Sequence, residues 1–380
     1  MMPWSWKALV CLLVSGTAAI AIEQIDVPAQ ALGKDRAEAW IHLPATLEEG
    51  QRYPVIYLLH SFSGDAQEWT QLGIQEAAKD LPLILVMIDG EQDFFGNFPK
   101  RPAWESYLLK NVISHIDSSY PTIATPAGRG LLGLSMGGHA ALRLTLAWPE
   151  TFSVCGSISG LLGSFSEAVN SQVQDQVDLL TQSVPDAKLW DVQHLLRTHS
   201  PTPKQAYFIE CGAGDPWLAA HRSWVHEASK RGLRYEYRES PGRHDYAYWR
   251  SCVGELLPKL SGRLSQHAAV AERELAWQPL LGEWHSCAVV PQGGELKFET
   301  VFEIQKGQLS GQSKGNEGEQ RFDRIAFGEG SLTYRTYQDE RIVDVRAHMA
   351  KDGKLEGEWS IADGSGRTVA SGEWRAERQR

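Results

Sequence analysis

The sequence predicts an α/β fold, a mostly parallel sheet with helices on both faces, followed by a smaller antiparallel β-barrel-like domain. Three observations carry this. Between about residues 36 and 264, apolar runs of strand length alternate with amphipathic helical segments. Beyond about residue 277 the helical spacing vanishes and apolar and polar residues alternate one by one. The composition, 42% hydrophobic and 22% charged over 380 residues, is globular and leaves room for two domains.

The N-terminus comes first. Met1–Lys7 carries a single positive charge, Lys7, and Ala8–Ile22 is uncharged and mostly apolar. Ala19-Ile20-Ala21 offers small residues where a signal peptidase reads. Residues 1–21 are therefore expected to be a signal peptide that exports the chain to a secreted or periplasmic location. An uncleaved anchor is the alternative, although the run is short for a membrane span. Cleavage would leave Cys155, Cys211, Cys252 and Cys287. Cys155 and Cys211 sit in apolar strand-like runs and read as core thiols, while disulfide pairing stays open.

Arg36–Leu43 and Tyr53–His60 are strand-like, and Leu83–Ile88 is continuously apolar, as expected where both sheet faces are covered. Trp104–Tyr120 repeats its apolar residues at helical spacing. Gly130–Leu134, Phe152–Ile158, Lys204–Cys211 and Leu233–Arg238 read as strands. Met136–Trp148, Trp217–Arg231 and about Tyr246–Leu264 read as helices. The polar stretch 160–203 breaks this rhythm and is expected to form a lid-like insertion. Residues 22–264 thus form one domain, and 265–276 reads as a polar, Ala-rich linker or short helix.

The remaining residues, 277–380, form about eight short strands, a density typical of antiparallel sandwiches and barrels. Asp352-Gly353 and Asp363-Gly364 predict two-residue hairpin turns. Gly-Glu-Trp recurs at 282–284, 357–359 and 372–374, which suggests equivalent places in a barrel wall.

The chemistry concentrates in three segments. Gly133-Leu134-Ser135-Met136-Gly137 lies between a strand and a helix. A serine there sits on a sharp turn, with small residues two positions away letting the chain double back, so its Oγ projects above the sheet. The Met136 N–H then points toward the same space and can stabilise an oxyanion. A serine hydroxyl needs a base, and the base an orienting acid. Asp215 follows the strand ending at Cys211, and His244 follows the strand ending near Glu239, so both stand where partners are expected. Asp215 also suits the N-cap of the next helix. Asp245 and Asp89 compete for the acid role, Asp245 being better placed as a helix cap. The third segment, Leu58-Leu59-His60-Ser61-Phe62-Ser63-Gly64, ends an apolar strand and offers a second oxyanion donor, Phe62, with Ser61 the near alternative.

Taken together, Tyr53–His60, Gly133–Gly138 and Pro241–Trp249 resemble the esterase D-like putative esterases of the α/β-hydrolase superfamily. Trp104–Pro121 is similar to the helix that precedes their nucleophile strand. That family includes S-formylglutathione hydrolases, feruloyl and acetyl-xylan esterases and antigen 85 mycolyltransferases. The resemblance covers about residues 35–262. It implies a carboxylic ester hydrolase with Ser135 as nucleophile, Asp215 as acid, His244 as base, and Phe62 with Met136 as the oxyanion pair. The family usually carries Gly where this chain has Ser61, which bears on the shape of the oxyanion loop. The C-terminal domain lies outside the resemblance and looks lipocalin-like.

Other classes are disfavoured. A net charge of −10 argues against nucleic acid or anionic lipid as main partner. No H-E-x-x-H, Walker A or G-x-G-x-x-G pattern occurs, so no metal or nucleotide cofactor is implied. An acyltransferase using the same acyl-enzyme differs only in its acceptor, and a non-catalytic scaffold would be expected to have lost Ser135 or His244. Phe94, Phe95 and Phe98, with Trp217 and Trp249 beside the site loops, suggest an aromatic rim that binds substrate, or else packing for the lid. The expected partner is a small acyl or aryl ester, carbohydrate-linked esters included.

Overall fold

A computed structural model describes residues 22–163, 190–198, 204–291, 293–315, 318–338 and 341–379, together with residues 175, 176, 178 and 202. The expected signal peptide lies outside the described residues, as does most of the insertion 160–203. The chain divides into two compact units between Ala268 and Ala269.

The first unit is built on an eight-stranded sheet of order β1-β2-β4-β3-β5-β6-β7-β8. Ile22–Pro28 (β1), Arg36–His42 (β2) and Ile84–Ile88 (β4) pair antiparallel in that order. Val55–Leu59 (β3), Arg129–Leu134 (β5), Val154–Ile158 (β6), Ala206–Gly212 (β7) and Tyr235–Ser240 (β8) run parallel, and β4 joins β3 in parallel. Every residue of β3, β4, β5, β6 and β7 is buried. Strict alternation is absent because each face has its own core. Val55, Tyr57 and Leu59 belong to one cluster, and Ile56 and Leu58 to the other.

The helices supply those two layers. Glu68–Gln71 (α1) and Ile74–Ala78 (α2) follow β3, whereas Trp104–Ser106 (α3) and Ile113–Ser119 (α4) are joined by a π-helical stretch at Tyr107–Val112. Apolar spacing over 104–120 predicts a helix but not this widened turn, which carries the buried Tyr107, Leu108 and Val112. Met136–Ala147 (α5) is buried along nearly its whole length, and Val192–Thr198 (α6) and Leu218–Lys230 (α7) complete the set before the last helix.

That last helix, Tyr246–Trp277 (α8), settles 265–276 as helix, the second of the two expected alternatives, continuous with the helix before it. It runs on through 265–276, because Ala, Gln, Glu and Arg are strong helix formers and no Gly or Pro interrupts them before Pro279. Trp249, Cys252, Val253, Leu256, Leu257, Leu260 and Leu264 form its buried stripe against the first unit's sheet. Among the described residues no helix is long and apolar enough to cross a membrane.

The second unit contains Gly282–Val289 (β9), Glu295–Gln305 (β10), Gln308–Gly315 (β11), Gly318–Arg321 (β12), Arg324–Gly328 (β13), Ser331–Gln338 (β14), Arg341–Met349 (β15), Leu355–Ala362 (β16) and Thr368–Arg378 (β17). They form a curled antiparallel sheet of order β12-β11-β10-β9-β17-β16-β15-β14-β13. Its edge strands, Gly318–Arg321 (β12) and Arg324–Gly328 (β13), are consecutive in the chain. Between them, the Phe322 N–H donates to Gly311 O at 2.9 Å and the Asp323 N–H to Arg335 O at 2.8 Å, so this short segment touches both sides of the curled sheet.

The Gly-Glu-Trp repeats have a packing explanation. Trp284, Trp359 and Trp374 are buried on the adjacent strands β9, Leu355–Ala362 (β16) and β17. Gly357 stands opposite Trp374, and Gly372 opposite Trp359. A Cβ on Gly372 would lie 2.8 Å from the Trp359 Nε1, so this glycine makes room for the indole across the strand, whereas one on Gly357 would lie 2.0 Å from Arg346 O on the neighbouring strand. The hairpin expectation needs correction. Ala350 pairs with Lys354 and Asp363 with Arg367, leaving three-residue loops in which Gly353 and Gly366 take the positive φ. A type I turn followed by a left-handed residue needs its glycine in third place, and Gly364 stands first.

Candidate active site

The turn between β5 and α5 forces Ser135 to φ 52°, ψ −112°, a conformation that costs an L-residue of order 1–3 kcal/mol. Neighbouring glycines make the turn possible. A Cβ on Gly133 would sit 1.9 Å from Gly137 O, and one on Gly137 would sit 2.1 Å from Leu59 O. The Ser135 N–H donates to Ile158 O at 2.9 Å, which pins the turn to the neighbouring strand.

Ser135 Oγ lies 2.9 Å from His244 Nε2, and His244 Nδ1 lies 2.9 Å from Asp215 Oδ2. The three residues thus form one hydrogen-bonded chain, although Ser135 and His244 are 109 positions apart. The Asp215 side chain is fully buried and His244 is partly exposed. Asp215 also keeps its helix-cap duty, since its Oδ1 accepts the Trp217 N–H at 2.9 Å. Burial acts to raise the Asp215 pKa, but the His244 hydrogen bond and charge and the Trp217 N–H outweigh it. The carboxyl is held below the usual aspartate range and stays ionised at neutral pH.

The competing acids are engaged elsewhere. Asp245 Oδ1 accepts the Tyr248 N–H at 3.0 Å, at the start of α8. Asp89 Oδ1 lies 3.1 Å from His60 Nε2 and accepts the Gly90 and Glu91 N–H groups.

The loop after β3 is oriented from two sides. His60 Nδ1 donates to the Ser61 carbonyl at 2.7 Å, and in a trans peptide this directs the Phe62 N–H the opposite way. The Ser61 N–H, the alternative donor in the sequence, is taken by Glu68 Oε2 at 2.7 Å. Among the described residues the Phe62 and Met136 N–H groups have no protein acceptor. Sequence reasoning missed Glu68 and Tyr246. The Tyr246 hydroxyl donates to Glu68 Oε1 at 2.6 Å, and no spacing rule links positions 178 apart.

The residues of the expected aromatic rim, Phe94, Phe95, Phe98, Trp217 and Trp249, are all buried. Phe98 stacks on Trp190 at 4.2 Å, and the other four pack against histidines. Trp217 and Trp249 meet the His244 ring edge-on, with centroids 4.5 and 5.1 Å away. Phe95 packs on His60, and Phe94 lies between Phe62 and His139. The Trp217 and Trp249 contacts hold the His244 ring in orientation. The four cysteines among the described residues are buried free thiols, Cys155 and Cys211 lying in the core as read.

Two further buried histidines hold the backbone beyond β6. His139 Nδ1 donates to Leu161 O and His221 Nε2 to Gly160 O, each at 2.7 Å. Burial lowers the His139 pKa from 6.5 to about 3. It lowers the His221 pKa from 6.5 to about 4. Unfolded, both rings bind a proton near pH 6.5, whereas in the fold they resist it. Stability is therefore greatest above that pH and is lost as pH falls toward 4, by up to ~1.4 kcal/mol per unit per histidine. Thermal melts from pH 7 to 4.5 should show a falling Tm. The decline should be shallower in His221→Gln, whose amide can still donate to Gly160 O; an unchanged slope would contradict this assignment.

The model of the putative esterase family matches residues 29–260, more than half of the chain. The chain belongs to that family. Its esterase relative from Mycobacterium tuberculosis is 29% identical over 224 residues, covering 51% of this chain and 49% of the relative. An endo-1,4-beta-xylanase/feruloyl esterase of Xylanibacter ruminicola is 27% identical over 258 residues, covering 63% of this chain and 31% of that protein. The chain thus spans about half, or less, of the length of these relatives. Among solved structures, a fluorophosphonate-binding serine hydrolase of Staphylococcus aureus superposes with a TM-score of 0.57 at 18% identity. It covers 63% of this chain and 98% of its own, which shows a shared α/β-hydrolase fold.

Proposed function

We propose that this family member is an exported carboxylic ester hydrolase working through an acyl-enzyme on Ser135. The observation that carries the reading is the unbroken hydrogen-bond chain from Ser135 Oγ through His244 to Asp215. In the first step His244 Nε2 takes the Ser135 proton as Oγ attacks the ester carbonyl. The resulting oxyanion accepts hydrogen bonds from the Phe62 and Met136 N–H groups. The ester C–O bond then breaks, and His244 returns its proton to the leaving alkoxide, giving the alcohol and an acyl-Ser135. Water, deprotonated by the same imidazole, releases the acid and restores the serine. Asp215 keeps Nδ1 protonated throughout, so Nε2 is free to accept.

The substrate class we propose is a small acyl or aryl ester, with carbohydrate-linked esters the first to test. The feruloyl esterase relative supports this choice. The curled sheet is read as a separate barrel domain. Assay of the mature protein on p-nitrophenyl acetate to octanoate and on feruloyl and acetylated sugars, with stopped-flow detection, tests the proposal. A burst equal to enzyme concentration is expected, and no turnover on any ester would overturn it. Partitioning of product toward an added sugar or alcohol beyond its concentration share would instead identify an acyltransferase.

A further inference from the structure

Glu68 is buried to 1% exposure at the first position of α1, and no basic side chain pairs with it among the described residues. Its carboxylate accepts three hydrogen bonds. The Ser61 N–H reaches Oε2 at 2.7 Å, while the Ser61 hydroxyl and the Tyr246 hydroxyl both reach Oε1 at 2.6 Å. The loop wraps closely round this group, and a Cβ on Gly64 would lie 2.5 Å from the Glu68 carboxyl carbon. A buried carboxylate without a counter-ion is costly unless its lone pairs are filled, so the three donors make the arrangement self-consistent.

What these donors belong to gives the cluster its meaning. Ser61 immediately precedes Phe62, whose N–H is the oxyanion donor of the proposed reaction. Tyr246 stands two residues beyond His244; the residue is 41% exposed and its ring packs on Trp249 at 5.3 Å. One carboxylate therefore touches both loops that must be in register for acyl transfer. Ser61 alone supplies two of its three hydrogen bonds.

We propose that Glu68 is a positioning residue that holds the Ser61–Phe62 peptide and the His244–Tyr246 segment in catalytic register. The inference rests on the reading of Ser135 as nucleophile and Phe62 as oxyanion donor. Glu68 touches neither substrate nor reacting atoms. Its effect is to keep the Phe62 N–H aimed where negative charge develops, so its loss should fall on the transition state more than on substrate binding.

Glu68→Leu keeps the volume but leaves the Ser61 N–H and hydroxyl without their acceptor. We expect kcat on p-nitrophenyl acetate to fall by ~30- to 300-fold, approaching the loss of one oxyanion donor, with KM changed by less than about threefold. Affinity for a trifluoromethyl ketone transition-state analogue should fall in parallel. Glu68→Gln should recover most of both, because Gln Oε1 can accept the Ser61 N–H while its amide donates to the two hydroxyls. A folded Leu variant with wild-type kcat and analogue affinity would overturn the proposal, as would equal losses in Gln and Leu. Should Glu68→Leu not fold, the pair Ser61→Ala with Tyr246→Phe removes two of the three donors. Roughly tenfold weaker analogue binding is then expected, and unchanged binding counts against the proposal. Ser135→Ala in the same assay separates the two ideas: activity surviving there refutes the active-site reading, whereas its loss beside a fully active Glu68→Leu refutes only the role of Glu68.

Discussion

Ser135→Ala should lose about five to six orders of magnitude in kcat/KM on activated esters while the protein stays folded. The size follows from the proposed mechanism, since among the described residues no other group stands within hydrogen-bond reach of His244 Nε2 to replace the attacking Oγ. Stability should barely change. Alanine keeps the Cβ, so the backbone strain at φ 52° is neither relieved nor worsened, and among the described residues the only side-chain bond lost is the one to His244. Ser135→Gly makes a useful partner because it is equally inactive but removes the strained Cβ. Its Tm should therefore rise above that of the alanine variant. Burst kinetics and a thermal melt on the three proteins check both halves, and undiminished turnover by the alanine variant would end the acyl-enzyme reading.

Asp215→Asn should cost about 10⁴-fold in kcat, a large effect for an isosteric change. The reason lies in the second oxygen. Asp215 Oδ1 accepts the Trp217 N–H at 2.9 Å, and an asparagine keeps that bond only by leaving its carbonyl oxygen there. Its NH₂ must then face His244 Nδ1, which becomes the acceptor, and the proton moves to Nε2. That tautomer points a hydrogen at Ser135 Oγ and cannot receive one. Turning the amide over would set its NH₂ against the Trp217 N–H, so the helix start enforces the inactive tautomer. The measurement is kcat across pH 5 to 9 with a melt to verify folding, and a loss of less than tenfold would contradict this role for Asp215.

The sequence is most legible where local geometry and chemistry coincide. Ser135 could be placed because a serine between a strand and a helix, flanked by glycines, admits one backbone solution. Asp215 and His244 followed because partners come from loops after later parallel strands. Glu68 was not legible. Its importance comes from Tyr246, reached through the tertiary fold, and an acidic residue at the start of a four-residue helix looks like any other. Helix continuation through 265–276 was readable in propensity, yet polarity and alanine content suggested a linker equally well. The hairpins failed on a finer point, because Asp-Gly marks a turn without fixing how many residues it contains. The aromatic residues near the site were visible as a group, but whether such rings face solvent or brace a histidine depends on packing that one-dimensional spacing does not encode.

The Phe322–Asp323 segment has a consequence for assembly. A curled sheet ordinarily presents two rows of unpaired backbone groups, and each can recruit a strand from a neighbouring molecule. Here a single two-residue connection bonds toward both flanks, so the same few atoms guard both seams. Protection concentrated in one place is economical but brittle. Loosening this joint would free two borders together, and each would then offer unpaired backbone groups to a neighbouring strand.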